Sequence, residues 1–373
     1  MITRFYVDNY KCLVNFDYQP KPFELILGEN GTGKTTIFEA LGAVQRFVLE
    51  KKSVSEVFPD SCRTRWQSRS EMNFELEMEH GEFVFNYKLR VVPKSNIAME
   101  VLTRNGKLIM DTETLSTGEH SNSHDASPLF LKVAVFDEEA EEWIDFRVAD
   151  VDNSVVGQYQ KQFNEALAQV VFVKFNPFST EEIVEETQSR PSRGFSNFAA
   201  YYSHVLQEKS DEVFELTLAL REVIPHFRSL VLEDQGLQKR KLRVEFAFEN
   251  TREKQKVRYN FNELSEGQRA LIALYTLVYC ESNSAILVDE PENFIALREL
   301  QPLIAHWQNR FEETEGQAVF ISHHPEFINW MAPQNAVKCF RQNGGPVQIR
   351  EFDLGEYEGL TPAEIVARGW DNE

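Results

Sequence analysis

The sequence predicts an α/β protein: a mixed sheet flanked by helices, joined to an antiparallel β-lobe and a short helical insertion. Three observations carry this. Apolar runs at residues 23–27, 285–288 and 318–321 have the length of buried strands, and each ends in a polar, chemistry-bearing turn. Helical periodicity takes over after the first run and appears again before the second. Between them lie short segments that alternate apolar and polar residues across turn residues, as hairpins do.

The first run leads into Gly28-Glu29-Asn30-Gly31-Thr32-Gly33-Lys34-Thr35-Thr36, which fits the phosphate-cradling pattern G-x-x-x-x-G-K-[ST]. The apolar-periodic residues 37–49 that follow complete the strand–loop–helix context the pattern needs. Glycines let the backbone wrap closely round phosphate oxygens, and successive N–H groups point inward as donors. The helix behind the loop adds the positive end of its dipole. Lys34 is then placed to reach β- and γ-phosphates, and the Thr35 hydroxyl to sit on Mg²⁺.

Ahead of this loop, residues 1–7 read as a strand and 13–18 as its partner, linked through Asp8-Asn9-Tyr10-Lys11. Residues 51–67 are polar and mixed, which predicts irregular chain. Residues 73–79 and 82–92 are strands about His80-Gly81, and 98–104 and 107–110 flank Asn105-Gly106, a strong two-residue hairpin signal. Residues 129–136 and 143–148 form another pair across an acidic turn. The stretch 111–127, rich in Ser, Thr, His and Asp, predicts an exposed loop. Helical spacing returns at 155–170. Residues 179–194 are polar and predict a loop; 195–206 and 210–223 predict two helices, the second ended by Pro225. Residues 241–248 and 256–261 make a last hairpin.

With 373 residues, 42% hydrophobic and 26% charged, the chain has the material for a sizeable globular core. No apolar run reaches the length of a membrane span and the N-terminus has no signal-peptide pattern, so no membrane contact and a cytoplasmic location are expected. Cys12, Cys62, Cys280 and Cys339 are scattered without a C-x-x-C pair, which suits a reduced compartment and argues against zinc. The formal charge of −20 argues against a generally DNA-coating surface and leaves room for a local basic groove.

The second half of the chain carries a second set of anion and metal chemistry. Asn262-Glu263-Leu264-Ser265-Glu266-Gly267-Gln268-Arg269 precedes an apolar-periodic helix at 270–279, so Ser265 and Gly267 mark another helix terminus suited to an anion. One chain rarely needs two such termini on one nucleotide, whereas two chains facing each other use both. The strand 285–288 ends in Asp289-Glu290-Pro291-Glu292, where ligands bind in open α/β sheets. Asp289 is suited to hold Mg²⁺ through water and Glu290 to orient and deprotonate an attacking water. The strand 318–321 ends at Ser322-His323-His324-Pro325, where a histidine can contact a γ-phosphate. The other histidine of the pair is expected to be structural.

These four elements, in this order, resemble the ABC-type ATPase heads of the SMC and RecF proteins, with their Walker A loop, signature motif, Walker B strand and switch histidine. The resemblance covers residues 1–50 and 255–330. Within that superfamily the chain looks most like the compact AAA-family ATPases related to the OLD proteins. Asn9-Tyr10-Lys11, Val223-Ile224-Pro225, Asp289-Glu290-Pro291-Glu292-Asn293 and Ile321-Ser322-His323-His324-Pro325 carry that likeness. Many of that group work in bacterial defence against phage beside a nuclease or other effector. The resemblance implies ATP and Mg²⁺ as ligands, with Glu29, Asn30, Gly31, Thr32, Gly33, Lys34, Thr35 and Thr36 on the nucleotide and Thr35 and Asp289 on the metal. It implies Glu290 as the catalytic glutamate and His323 as the switch. Ser265, Gly267 and Gln268 would meet the γ-phosphate held by an opposite subunit, and Lys11 would approach the phosphates. A homodimer closing round ATP follows, as does an ATPase core of residues 1–50 and 236–373 with an inserted lobe at 51–235.

The chain departs from its relatives in three ways. It lacks a long coiled coil with its zinc hook. Residues 322–373, which follow the switch strand, are too few for the TOPRIM nuclease domain that OLD proteins carry, so none is expected. The Q-loop glutamine has two candidates, Gln158 and Gln160. Two functional classes stay open: a sensor or scaffold controlling a separately encoded effector in anti-phage defence, and a RecF-like repair ATPase that grips duplex DNA. The basic residues Lys239, Arg240, Lys241, Arg243, Arg252, Lys254, Lys256 and Arg258 read as a solvated hairpin face or, alternatively, a nucleic-acid groove. Arg63, Arg65, Trp66 and Arg69 read as a loop packing its Trp, or as stacking and phosphate contacts. His120 and His124 have metal-like spacing only on a helix, which their loop does not predict. Residues 360–366 start a short capped helix expected to dock on the core or a partner.

Overall fold

A computed structural model of the chain describes residues 1–115, 132–137, 142–147, 155–248, 255–281, 284–314, 316–353 and 359–369. They form two compact units, one of Met1–Lys21, Gly28–Val170 and Val337–Glu351, the other of Pro22–Leu27, Val171–Ala336 and Phe352–Glu373.

The first unit holds β1 (Ile2–Asp8), β2 (Phe16–Tyr18), β4 (Met72–His80), β5 (Phe83–Val92), β6 (Ile97–Arg104) and β7 (Lys107–Leu115). They make one sheet in the order β2-β1-β4-β5-β6-β7, antiparallel at every step. In β4, Met72, Phe74, Leu76 and Met78 point inward while Glu75 and Glu77 face out, the period-two pattern of a half-buried strand. Those glutamates and Asp17 clasp Arg4 on the outer face. The inner face receives Phe58, 5.1 Å from Phe74 between ring centroids, and Phe163, 5.1 Å from Tyr87. Phe163 lies on α3 (Val155–Ala168). Helix α1 (Lys34–Glu50) buries Ile37, Phe38, Leu41 and Val44, and α2 (Val54–Val57) lies within the stretch expected to be irregular. Strands β8 (Lys132–Asp137) and β9 (Glu142–Arg147) pair as the expected hairpin.

Two expectations need correction here. Strand β7 runs on to Leu115, five residues into the expected loop at 111–127. It is an edge strand paired with β6, so the polar run Asp111-Thr112-Glu113-Thr114 needs no second partner. His120 and His124 lie outside the described residues. Trp66 is not packed by its loop: it is 51% exposed, with the Arg341 guanidinium 5.6 Å from its ring centroid. Arg63 and Arg69 are paired with Asp60 and Asp8.

In the second unit β3 (Phe23–Leu27), β10 (Val170–Val173), β15 (Ala285–Asp289) and β16 (Gln317–Ile321) lie in the order β10-β15-β16-β3, and β15, β16 and β3 are parallel. All five residues of β15 and of β16 are buried, as strands covered on both faces are. A second, antiparallel sheet contains β11 (Ile183–Val184), β12 (Phe227–Gly236), β13 (Lys239–Phe248) and β14 (Gln255–Asn260). Helices α4 (Phe198–Glu208), α5 (Ser210–Val223), α6 (Glu266–Cys280), α7 (Leu297–Glu313), α8 (Pro325–Asn335) and α9 (Pro362–Arg368) complete the unit. Its core includes Trp307, whose ring is 4.8 Å from Phe320, and Phe198 stacked 4.9 Å from Phe261. Helix α9 packs on this core through Ala363 and Val366, and the Ala363 N–H donates to Asn329 Oδ1 at 2.9 Å. Strands β17 (Ala336–Arg341) and β18 (Val347–Glu351) pair antiparallel and, from Val337 on, belong to the first unit.

Four residues of the basic hairpin are ion-paired, and Arg240 donates to Ser203 Oγ at 2.7 Å. Lys239 pairs with Glu185, Lys241 with Glu182, Arg243 with Glu233, and Arg258 with Glu245 and Glu233. Arg252 and Lys254 lie outside the described residues. Among the described residues no helix is long and apolar enough to cross a membrane.

Candidate functional site

The loop 28–36 lies in the first unit and has a backbone that only glycine takes easily. Gly28, Gly31 and Gly33 have φ of 148°, 81° and 101°. A Cβ on Gly28 would stand 2.2 Å from the Cys339 carbonyl oxygen, and one on Gly33 2.7 Å from Val347 Cγ2 and 2.8 Å from Cys12 Sγ. Helix α1 begins at Lys34 with no side-chain cap, and the Thr36 N–H donates to Gly33 O at 3.0 Å. Lys34 is buried, and its ammonium donates to the Gly28 and Glu29 carbonyls at 2.7 and 2.8 Å. The Thr32 hydroxyl ties the same turn by donating to Glu29 O at 2.8 Å. Burial raises the Cys339 thiol to about 11, so it stays neutral behind the loop. Lys11 has a left-handed backbone, φ 49°, and its Nζ is 2.7 Å from Glu39 Oε2 on α1. That pairing gives Lys11 a structural task that the sequence did not show.

In the second unit the parallel register brings three strand ends into one row. Asp289 pairs with Ile321, and Ile321 with Ile26, one residue before Leu27 closes β3 and the glycine loop begins. Asp289 is 2% exposed. Glu290 has φ 55°, a left-handed conformation rare for a glutamate, held by its N–H donating to Ile321 O at 2.8 Å. Lys174, the first residue beyond β10, reaches both carboxylates: its Nζ is 3.1 Å from Asp289 Oδ2 and 2.8 Å from Glu290 Oε2. The hydrogen bond from Lys174 outweighs burial and holds Glu290 below the usual carboxylate range, with Asn293 and the nearby His323 helping. For Lys174 burial acts downward, yet Glu290 and Asp289 together leave it above the usual lysine value.

The two histidines part as expected of neighbours at a strand end. His324 Nδ1 accepts from Glu326 N–H at 3.2 Å and so caps α8, a structural task. His323 is exposed, its N–H donating to Glu292 Oε1 at 3.2 Å. The buried Ser322 hydroxyl donates to the same oxygen at 2.8 Å. Burial outweighs these donors and raises Glu292 above the usual carboxylate range.

Ser265 caps α6: its Oγ accepts from Gln268 N–H at 3.2 Å, and Gln268 Oε1 accepts from Ser265 N–H at 3.1 Å. Gly267 is fixed by close approach, since a Cβ there would stand 2.7 Å from Phe294 O. Ser265, Gly267 and Gln268 line a cavity of about 800 Å³ with Pro225, Phe294 and Arg298. Gln158 and Gln160 lie on α3 of the first unit, whereas the residue placed against the acidic pair is Lys174. Sequence reasoning missed it; the only signal was an apolar run at 170–173 ending in a lysine.

Residues 179–329 match the family described as "AAA domain, putative AbiEii toxin, Type IV TA system". No curated protein matches the chain in sequence. Among solved structures, a Smc head bound to the C-winged-helix domain of ScpA superposes with a TM-score of 0.57 at 12% identity, covering 95% of this chain and 98% of that one. The Smc head with coiled coil and joint from Pyrococcus yayanosii gives 0.51 at 9% identity, covering 99% of each chain. This chain therefore has the fold of the Smc head domains.

Proposed function

We propose that the chain binds and hydrolyses ATP, closes as a homodimer round ATP·Mg²⁺, and acts as the sensor or scaffold of a separately encoded effector in anti-phage defence. The alignment of Ile26, Ile321 and Asp289 in one row supports this most, because three motif-bearing turns leave one end of a parallel sheet. The ATPase core would comprise residues 1–50 and 236–373, with 51–235 as the inserted lobe, in the cytoplasm.

Each residue then has a task. Lys34 exchanges two carbonyl partners for β- and γ-phosphate oxygens, and the loop N–H groups of residues 29–36 bind the rest. The acidic pair suits a cation, since Asp289 and Glu290 already share an ammonium ion. Thr35 and Asp289 would hold Mg²⁺, which supplies charge neutralisation at the phosphates. Glu290 orients the attacking water and takes its proton. His323 reports the γ-phosphate from the exposed end of β16. Ser265, Gly267 and Gln268, at the N-terminus of α6, meet the phosphates held by a second copy.

The family description, which gives the AAA domain as an AbiEii toxin of a type IV toxin–antitoxin system, supports a role in a system of more than one component. The net charge of −20 and the ion-paired hairpin support a protein partner over duplex DNA. The test is Glu290→Gln beside wild type. We expect hydrolysis to fall about a hundredfold or more with ATP binding kept, and a dimer that accumulates with ATP in mass measurements. An ATPase rate untouched by the substitution, or tight, salt-sensitive binding of duplex DNA, would overturn the catalytic or the defence part respectively.

A further inference from the structure

Lys174 belongs to none of the four motifs, yet the fold brings it onto the two carboxylates on which the chemistry depends. Its backbone is fixed: β10 ends at Val173, and the Lys174 N–H donates to Arg193 O at 2.7 Å. Its side chain is 40% exposed and reaches the buried Asp289 from the solvent side. The anchored backbone and four-carbon stem let the ammonium swing away without moving the strand.

We propose that Lys174 is the resident counter-ion of the Asp289–Glu290 pair and must leave it when a divalent cation binds Asp289. This rests on the ATPase reading of those two residues. Asp289 and Glu290 place two carboxylates on successive residues, and the Lys174 ammonium bridges them at 3.1 and 2.8 Å. A divalent ion on Asp289 and an ammonium 3.1 Å from Asp289 Oδ2 repel one another, so the two cations alternate. Glu290 Oε2 also accepts from Asn293 Nδ2 at 3.1 Å, so with Lys174 in place that oxygen carries two donors. Loading the metal thus removes one of them. Lys174 is a positioning residue that keeps the head idle until metal and nucleotide arrive together.

The test uses the full chain with Lys174→Met, which keeps the stem and removes the charge, and Lys174→Arg, which keeps the charge. Binding of Mn²⁺ is read by electron paramagnetic resonance at saturating non-hydrolysable ATP analogue, and melting is followed in a chelator. The Met variant should bind Mn²⁺ about tenfold tighter, the size of one charge-assisted hydrogen bond. It should melt below wild type in chelator and regain the difference with Mn²⁺, while the Arg variant stays near wild type in both. Folding of the Met variant only with metal present also supports the proposal. Equal or weaker Mn²⁺ binding by the Met variant, with analogue still bound, overturns the counter-ion role alone. Failure of wild type to bind the analogue at all overturns the ATPase reading, and this one with it.

Discussion

In the loop 28–36 the shape is set by backbone and by what no side chain could occupy: left-handed glycines, a carbonyl 2.2 Å from where a Gly28 Cβ would be, and a lysine satisfied by carbonyls. At the ends of β15 and β16 the arrangement is set by charge instead. Lys174 spans two acids, and Ser322 and His323 share Glu292. A cavity defined by sterics tolerates changes of pH and salt but no added atom. A constellation defined by ion pairs tolerates modest changes of shape and answers to protons and cations. The first region is built to recognise, the second to respond.

The largest expected effect lies in the steric region. Gly28→Ala meets backbone and holds φ 148°, so overpacking and strain together should cost about 3–5 kcal/mol, read as a lost or strongly shifted urea transition. A shift under about 1 kcal/mol would show that the loop yields and the contrast fails. Ser322→Ala comes next, at about 1–3 kcal/mol, because it removes a donor from half-buried Glu292. Here the sign with pH is specific. Glu292 has a folded pKa raised above its unfolded value, so its contribution is fully present below the ordinary carboxylate range and is lost as pH rises through the folded pKa. The variant raises that pKa further, so its deficit against wild type should be greater at pH 7 than at pH 4. An equal deficit at both would remove charge from the explanation.

Ser265→Ala should cost about 1 kcal/mol through the lost cap of α6, with Ser265→Thr or Asp restoring most of it. Weakened analogue-driven dimerisation in Ser265→Ala but not in the restored variants would tie the cap to function as well as to fold. Smallest of all, Lys11→Ala breaks an ion pair whose partners are both about a third exposed, and should change stability by no more than about 0.5 kcal/mol. A marked loss of ATP-analogue affinity in that variant would move Lys11 from a brace on α1 to the phosphates.

What was legible in the sequence was local. The glycine loop between strand and helix, Asn105-Gly106 between β6 and β7, and Ser265 with Gln268 ahead of α6 each state their conformation within a few residues. The buried strands announced themselves by length and composition. What was illegible depended on partners distant in sequence. Strand β12 ends in Glu233-Asp234-Gln235-Gly236 and was not read, because its pairing with β13 and not its own alternation makes it a strand. The end of β7 is polar and is held by β6. Lys174 lies 115 residues from Asp289, so only the adjacency of β10 and β15 could place it. The ion pairs of Lys239, Lys241, Arg243 and Arg258 are likewise invisible to a count of lysines and arginines.

The left-handed turn at Glu290 has a practical outcome for anyone wishing to trap this head. A glutamate there holds a conformation that glycine takes without strain, so Glu290→Gly relieves about 1 kcal/mol of backbone strain while giving up the Lys174 and Asn293 contacts. Glutamine keeps the tension, and valine or isoleucine would add to it. On the proposed ATPase reading, this strained residue marks where the molecule trades durability for turnover.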